Sequence, residues 1–321
     1  MLEKIKKEFD RSRRKLFRSG RKHKQSERTR CELDNLPYEL YDKITNGGYA
    51  VRLPHIEGID ETLERIVDGG CSMSRFGDGE FGIMFGSRIR YHDRNPGLAQ
   101  RLKEVIRSDD PKLLIGLPPC FGSLDCFVPS TIDFWRKWMS KKRAMVYSCL
   151  SWDRIYYNAF FNRFYLNYNK TDEHIERCSA YFDKLNQIWK DRDVVLFEGQ
   201  QARLGVGNDV LSGARSISRI VFCPIRNAFD RYDEIVSAFD GIASDVLVLI
   251  SLGPTATVLA HDLCNKGYQA LDVGDINAEY EYFLRREKPF ETGNAGKDSA
   301  VKHASDPNDP EYRKQIVKTI V

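Results

Sequence analysis

The chain has 321 residues, 41% of them hydrophobic and 30% charged, an ordinary globular composition with room for one large domain or two small ones. No apolar run approaches the ~20 residues of a membrane span, and no apolar stretch with a small-residue cleavage site opens the chain, so neither a spanning helix nor a secretory signal is expected. The net charge of +4 is uneven: residues 1–30 hold 13 Lys or Arg against 4 Asp or Glu, so the other 291 residues carry a net −5.

Residues 1–30 read as a basic helix, with Leu2, Ile5, Phe9 and Leu16 near one face and Lys and Arg over the rest. Such a segment is either a solvated terminal helix or a peripheral contact with an anionic membrane surface. Nucleic-acid binding is disfavoured, because no basic surface interleaved with aromatics follows. Residues 1–50 are therefore set apart as an arm and linker, 51–290 as the folded domain, and 291–321 as a polar C-terminal tail expected to be loose after Phe290.

From about residue 55 strands and helices alternate. Glu61–Val67 is amphipathic and stops at Gly69-Gly70. Cys71–Arg75 is a short strand, Leu98–Ile106 a helix, and Leu113–Leu117 a buried strand closed by Pro118-Pro119. Ala144–Ser148 reads as a strand, and Ile155–Leu166 and Ile175–Trp189 as aromatic-rich helices. In the second half Val194–Phe197, Arg219–Cys223, Val246–Ile250 and Gln269–Val273 are strands. Tyr232–Phe239 and Thr255–Asn265 are helices, the latter with Pro254 at its start and Gly267 at its end. This alternation predicts an α/β, Rossmann-like, mostly parallel sheet with helices on both faces, and ligands at the carboxyl ends of its strands.

The eight Cys are scattered without a C-x-x-C pair, and the six His are dispersed. They are read as reduced thiols of a cytoplasmic protein rather than as a zinc site. No P-loop lysine signature and no G-x-S-x-G elbow occur, which disfavours a Walker-type kinase and an esterase. Gly205-Val206-Gly207 is half of a dinucleotide fingerprint, but the next strand ends in Cys223-Pro224 rather than in an acidic ribose clamp.

Four strand ends carry polar, glycine-bearing turns: Ser74–Glu80, Glu198–Asp209, Ser251–Thr257 and Asp272–Glu279. The first is the most informative. In S-R-F-G-D-G-E the carboxylates of Asp78 and Glu80 flank one glycine and can aim at a single hard cation. Arg75 can fork onto phosphate oxygens, and Gly77 lets a ligand approach the backbone. The loop around Gly207 offers backbone N–H groups with Arg203 beside it, and the helix opened by Pro254 offers free N–H groups with Thr255 and Thr257.

Together these segments resemble the bacterial glycosyltransferases of the GT-D fold type, which glucosylate serine-rich repeat adhesins and related glycans. The matching pieces are S-R-F-G-D-G-E (74–80), F-E-G-Q-Q-A-R-L-G-V-G-N-D (197–209), the run Pro224–Ile235, L-G-P-T-A-T-V-L-A-H-D-L (252–263) and A-L-D-V-G-D-I-N-A-E-Y-E-Y-F (270–283). The resemblance implies a UDP-sugar donor, commonly UDP-glucose, a glycan or glycoprotein acceptor, and Mn²⁺ or Mg²⁺ served by an Asp-x-Glu motif that falls on Asp78 and Glu80. On that expectation Arg75 and Arg203 contact the diphosphate. Ser74, Gly77, Gly207, Asn208, Asp209, Thr255 and Thr257 complete the nucleotide-sugar site, and Asp275 and Glu279 are the candidate bases. The chain departs from the family pattern G-H-x-D-x-E-Y-E, having Asp275 in place of the histidine and Asn277 in place of the aspartate. That departure keeps a non-catalytic nucleotide-sugar-binding protein open as an alternative. A Rossmann-like methyltransferase is a further one, but its chemistry usually needs no metal and leaves the Asp-x-Glu turn unexplained.

Overall fold

The nine strands of the computed structural model run parallel throughout; it describes residues 53–286 and 310–321. They are β1 (His55–Ile56), β2 (Ser72–Arg75), β3 (Leu113–Leu117), β4 (Ile155–Asn158), β5 (Asp193–Gly199), β6 (Ser216–Cys223), β7 (Leu247–Ser251), β8 (Gln269–Asp272) and β9 (Ile316–Thr319). Their spatial order is β1-β4-β3-β2-β8-β7-β5-β6-β9. From β2 the chain steps outward to β3 and β4, with β1 beyond them; from β5 it steps outward to β6 and β9, and β7 and β8 fill the gap between. The sheet is thus parallel among all described strands, a stricter outcome than the mostly parallel one expected.

The central strands are apolar along their whole length because both faces are covered. Leu113–Leu117 is buried at every position, as is Leu247–Ile250. Nine helices lie among the described residues: α1 (Ile59–Val67), α2 (Asp78–Met84), α3 (Pro96–Val105), α4 (Pro129–Tyr147), α5 (Asp172–Trp189), α6 (Tyr232–Ser237), α7 (Pro254–Asn265), α8 (Ile276–Leu284) and α9 (Pro310–Gln315). In α1 the buried Ile59, Leu63 and Ile66 recur at the spacing of one helix face. Asn95 caps α3 by accepting the Leu98 N–H at 2.9 Å, with Pro96 opening the first turn. Phe197 of β5 stacks on Phe239 just after α6, ring centroids 4.2 Å apart, in a core that also holds Val248, Leu259 and Leu263. None of these helices is long and apolar enough to cross a membrane.

Three sequence expectations are corrected. Ala144–Ser148 is not a strand but the end of α4, which continues from Pro129 because no Gly or Pro interrupts it. Ile155–Leu166 is not a helix: Ile155–Asn158 is β4, paired to His55–Ile56 and to Gly116–Leu117, and a series of tight turns follows it. The tail expected to be loose after Phe290 contains α9 and β9, the latter paired parallel to β6 from Ile220↔Ile316 to Phe222↔Thr319, with a one-residue register shift after Ile220. The basic arm and the rest of that tail lie outside the described residues.

By compactness, Asp133–Arg143 in the middle of α4 separates from the rest of the described residues, which form a second unit. Within that short stretch Trp135 packs edge-to-face on Phe134 and Trp138, at 5.1 and 5.6 Å. Every residue of the candidate site belongs to the other unit.

Candidate active site

With every strand pointing one way, the turns after β2, β4, β5, β7 and β8 open at the same end of the sheet. The turn after β4 was not singled out from sequence. The others are the four that were.

The turn after β2 passes directly into α2. Gly77 is the N-cap, and Glu80 folds back so that Oε2 accepts the Gly77 N–H at 2.7 Å. Two acids in a first helical turn are favoured by the helix dipole and the free N–H groups there. Asp78 reaches solvent, yet the surrounding protein desolvates it and raises its pKa, opposed by the charge of Arg163. Glu80 is pushed up to about 7, first by burial, then by the neighbouring carboxylate of Asp272, with Asp78 adding to the same effect. Acids crowded in this way have an electrostatic deficit that a cation relieves. Among the described residues no three His, Cys, Asp or Glu side chains converge as a complete cage. A pair of carboxylates with open positions nonetheless suits Mg²⁺ or Mn²⁺ bound with phosphate oxygens and water, so the residues present fit such an ion.

Arg75 is committed to the fold. Its Nη2 donates to Asp272 Oδ1 and its Nε to the Asp272 carbonyl, both at 2.8 Å, while Nη1 donates to Asn162 Oδ1 at 3.1 Å. Gly274, with φ of +48°, makes this close approach possible: a Cβ there would lie 2.1 Å from Arg75 Nη2. Ser74 and Thr257 staple β2 to α7. Ser74 Oγ donates to the Thr257 carbonyl at 2.7 Å, and Thr257 Oγ1 donates to the Arg75 carbonyl at 2.9 Å. Thr255 differs from both, being fully buried with no hydrogen-bond partner for its Oγ1 among the described residues. It stands in the first turn of α7, just after Gly253 with φ of +53°.

The loop after β5 is held from two sides. Glu198 is fully buried; its Oε2 accepts the Leu204 N–H at 2.9 Å and its Oε1 accepts the Tyr312 hydroxyl from α9. Burial pushes the Glu198 pKa up to about 7 against the pull of Tyr312, Leu204 and Arg203. Arg203, Gly205 and Gly207 all have positive φ, so the loop coils tightly. On the other side Asn277 Oδ1 accepts from the Gly205 N–H at 3.0 Å and from Asn208 Nδ2 at 2.9 Å, while its own Nδ2 donates to Glu281 Oε1 at 3.0 Å. Asp209 is exposed and accepts the Tyr280 hydroxyl at 2.7 Å.

Asp275 is half-buried at the N-cap of α8. Glu279, one turn on, is almost fully enclosed, and its Oε1 accepts the N–H groups of Tyr165 and Leu166 at 2.6 and 2.8 Å. Its carboxylate ties down the segment after β4. Ser74, Arg75, Thr257, Asn208 and Glu279 therefore carry structural bonds, while Asp78, Arg203, Gly207 and Asp275 are half-buried or more open. Sequence reasoning missed Asp272, Asn162, Arg163 and Tyr312. Only Asp272 left a signal, as the acid that closes an apolar strand.

The family model for the glycosyltransferase GT-D fold matches residues 73–291. The chain belongs to this glycosyltransferase family. Over 228 residues it is 38% identical to "Glycosyltransferase GlyD" of Streptococcus pneumoniae serotype 4 (strain ATCC BAA-334 / TIGR4), covering 71% of this chain and 27% of that protein. It is also 38% identical to "Probable glycosyl transferase Gly" of Streptococcus gordonii, covering 70% of this chain and 32% of the relative. The chain thus spans under a third of the length of these curated relatives. A solved structure described as "A New Glycosyltransferase (DUF1792) from Streptococcus sanguinis" aligns with a TM-score of 0.75 at 32% identity, covering 84% of this chain and all of that one. A second, described as "The highly conserved domain of unknown function 1792 has a distinct glycosyltransferase fold", has a TM-score of 0.75 at 34% identity over 84% of this chain and 96% of its own. The parallel sheet is thus that of a GT-D glycosyltransferase domain.

Proposed function

We propose that this GT-D domain moves a hexose, with glucose the first candidate, from a UDP-sugar to a hydroxyl of a glycan or glycoprotein acceptor, with Mn²⁺ or Mg²⁺ as cofactor. The observation that carries this reading is the crowded acidic turn of Asp78 and Glu80 at the carboxyl end of β2, beside Asp272. Asp78, with Glu80 in support, would hold the ion, which supplies neutralisation of the diphosphate as leaving group. Thr255 at the start of α7 offers a hydroxyl and nearby backbone N–H groups to a phosphate or ribose oxygen. Arg203, Gly207 and Asp209 line the adjacent loop. Asp275 is the proposed base that takes the acceptor proton; Glu279 is left out of that role because its carboxylate is bonded to backbone.

The deciding experiment is a panel of UDP-sugars with and without Mn²⁺, read by thermal shift and by donor hydrolysis. Metal-dependent stabilisation and hydrolysis of one donor support transfer chemistry. Binding without hydrolysis or transfer points to a nucleotide-sugar-binding protein, and stabilisation by S-adenosylmethionine instead overturns the donor class. A cytoplasmic location with peripheral contact to an anionic membrane through residues 1–30 belongs to the same proposal, motivated by their charge of +9. Unchanged partition into anionic vesicles after deletion of residues 1–30 would remove that contact.

A further inference from the structure

The segment between β4 and α5 carries a cation for which the fold has no evident use. The segment is pinned from three elements, by the side chain of Asn162 and by backbone N–H groups. Asn162 donates from Nδ2 to the Val273 carbonyl after β8 and accepts from Arg75 Nη1 of β2 at 3.1 Å. Tyr165 and Leu166 donate to Glu279 Oε1 of α8 at 2.6 and 2.8 Å. Between these anchors stands Arg163, whose own N–H is bonded to the Phe160 carbonyl at 2.9 Å.

The Arg163 side chain is half-buried, and among the described residues its guanidinium takes part in no hydrogen bond or ion pair. Removing a cation from water without pairing it is unfavourable, so a fixed backbone beneath an uncommitted arginine calls for an explanation. Internal neutralisation is the simplest candidate, since the positive charge of Arg163 favours ionisation of both Asp78 and Glu279. Neither acid, however, is within ion-pair distance of it, and Glu279 already accepts two backbone N–H groups. Arg75, by contrast, is saturated by Asp272 and Asn162 and cannot fork onto a ligand without breaking those bonds.

We propose that Arg163, rather than Arg75, binds the diphosphate of the nucleotide-sugar donor beside Asp78. The proposal rests on the donor reading given under Proposed function. A guanidinium presents paired N–H groups in a plane that matches two phosphate oxygens, and its charge cannot be lost by deprotonation. As the acceptor hydroxyl oxygen bonds to the anomeric carbon and gives its proton to Asp275, the bond from that carbon to the phosphate oxygen breaks, the electron pair stays on the phosphate oxygen, and Arg163 stabilises the charge that collects there.

The test is calorimetric titration of the full chain, with Mn²⁺ present, by inorganic pyrophosphate, UDP and uridine, for wild type, Arg163→Gln and Arg163→Lys. Pyrophosphate and UDP binding should weaken about 10- to 100-fold in Arg163→Gln, with uridine unaffected and Arg163→Lys recovering only part of the loss. Equal affinity for pyrophosphate in wild type and Arg163→Gln, or an equal loss for uridine, overturns the assignment. Should Arg163→Gln fail to fold, Arg163→Lys decides: a folded lysine variant with wild-type pyrophosphate and UDP affinity also overturns it. If wild type binds neither pyrophosphate nor UDP, this inference and the donor reading fall together. If UDP binds in an Arg163-dependent way but no sugar is transferred or hydrolysed, only the transfer reading fails.

Discussion

Arg75 and Asp272 join β2 to β8 at two points, through the side-chain contact to Oδ1 and the contact to the Asp272 carbonyl, both at 2.8 Å. The pair is nearly enclosed, with side-chain exposures of 15% and 5%. Removing one partner leaves a buried charge uncompensated, which typically costs ~3–5 kcal/mol. Arg75→Ala should therefore destabilise the fold by that order in urea titration. Arg75→Lys should recover little, because an ammonium cannot serve Asp272 and Asn162 together. A variant with wild-type stability and impaired donor binding would instead make Arg75 a ligand residue.

Asn277 occupies the position where the family pattern has an aspartate, and its carboxamide is used from both ends. Asn277→Asp keeps the acceptor for Gly205 and Asn208 but sets a second carboxylate against Glu281. Like charges raise the folded-state pKa of the new acid, so its protonated form is favoured in the native state. Stability should match wild type near pH 4 and fall as pH rises, by ~1–3 kcal/mol at pH 8. Thermal melts across that range check the sign.

Glu198 gives a second pH-dependent expectation. Its folded pKa of about 7 lies above the ordinary glutamate value of 4.5. The native state therefore holds the proton more tightly than the unfolded chain, and stability declines as pH climbs from about 4.5 to about 7. At ~1.4 kcal/mol per unit the decline is at most ~3.5 kcal/mol. Glu198→Gln should flatten that slope and be the more stable protein at pH 8.

Asp78→Asn and Glu80→Gln should abolish metal-dependent sugar transfer without unfolding the domain. The glutamine can still accept the Gly77 N–H, so the cap of α2 survives. Relieved of crowding by Asp272 and Asp78, Glu80→Gln should melt above wild type in metal-free buffer at pH 8. Wild-type turnover in either variant would remove the metal assignment.

The parts of this site readable in the sequence are those whose partners are close in sequence. The carboxylates of Asp78 and Glu80 share one turn, and Leu113–Leu117 and Val246–Ile250 are apolar runs bounded by turn residues. The strand Ile155–Asn158 was hidden because the aromatic stretch that follows has neither a period of two nor a clean helical period, and its pairing partners lie about 40 and 100 residues away. Ala144–Ser148 is apolar enough to pass for a strand, although it only finishes α4. Asn162, Arg163 and Asp272 acquire meaning only from the order β4-β3-β2-β8. The spacing of a single chain does not encode such an adjacency.

The hydroxyl of Tyr312 reaches a buried acid 114 positions earlier in the chain, and β9 lies along the outer edge of β6. One consequence concerns timing. During synthesis the loop after β5 emerges long before the partner that completes it, so a nascent chain ending before residue 310 presents Glu198 without that donor and β6 as an open strand edge. The loop after β5 and the open edge of β6 are therefore completed only when residues 310–320 dock, not when the loop and strand themselves are made.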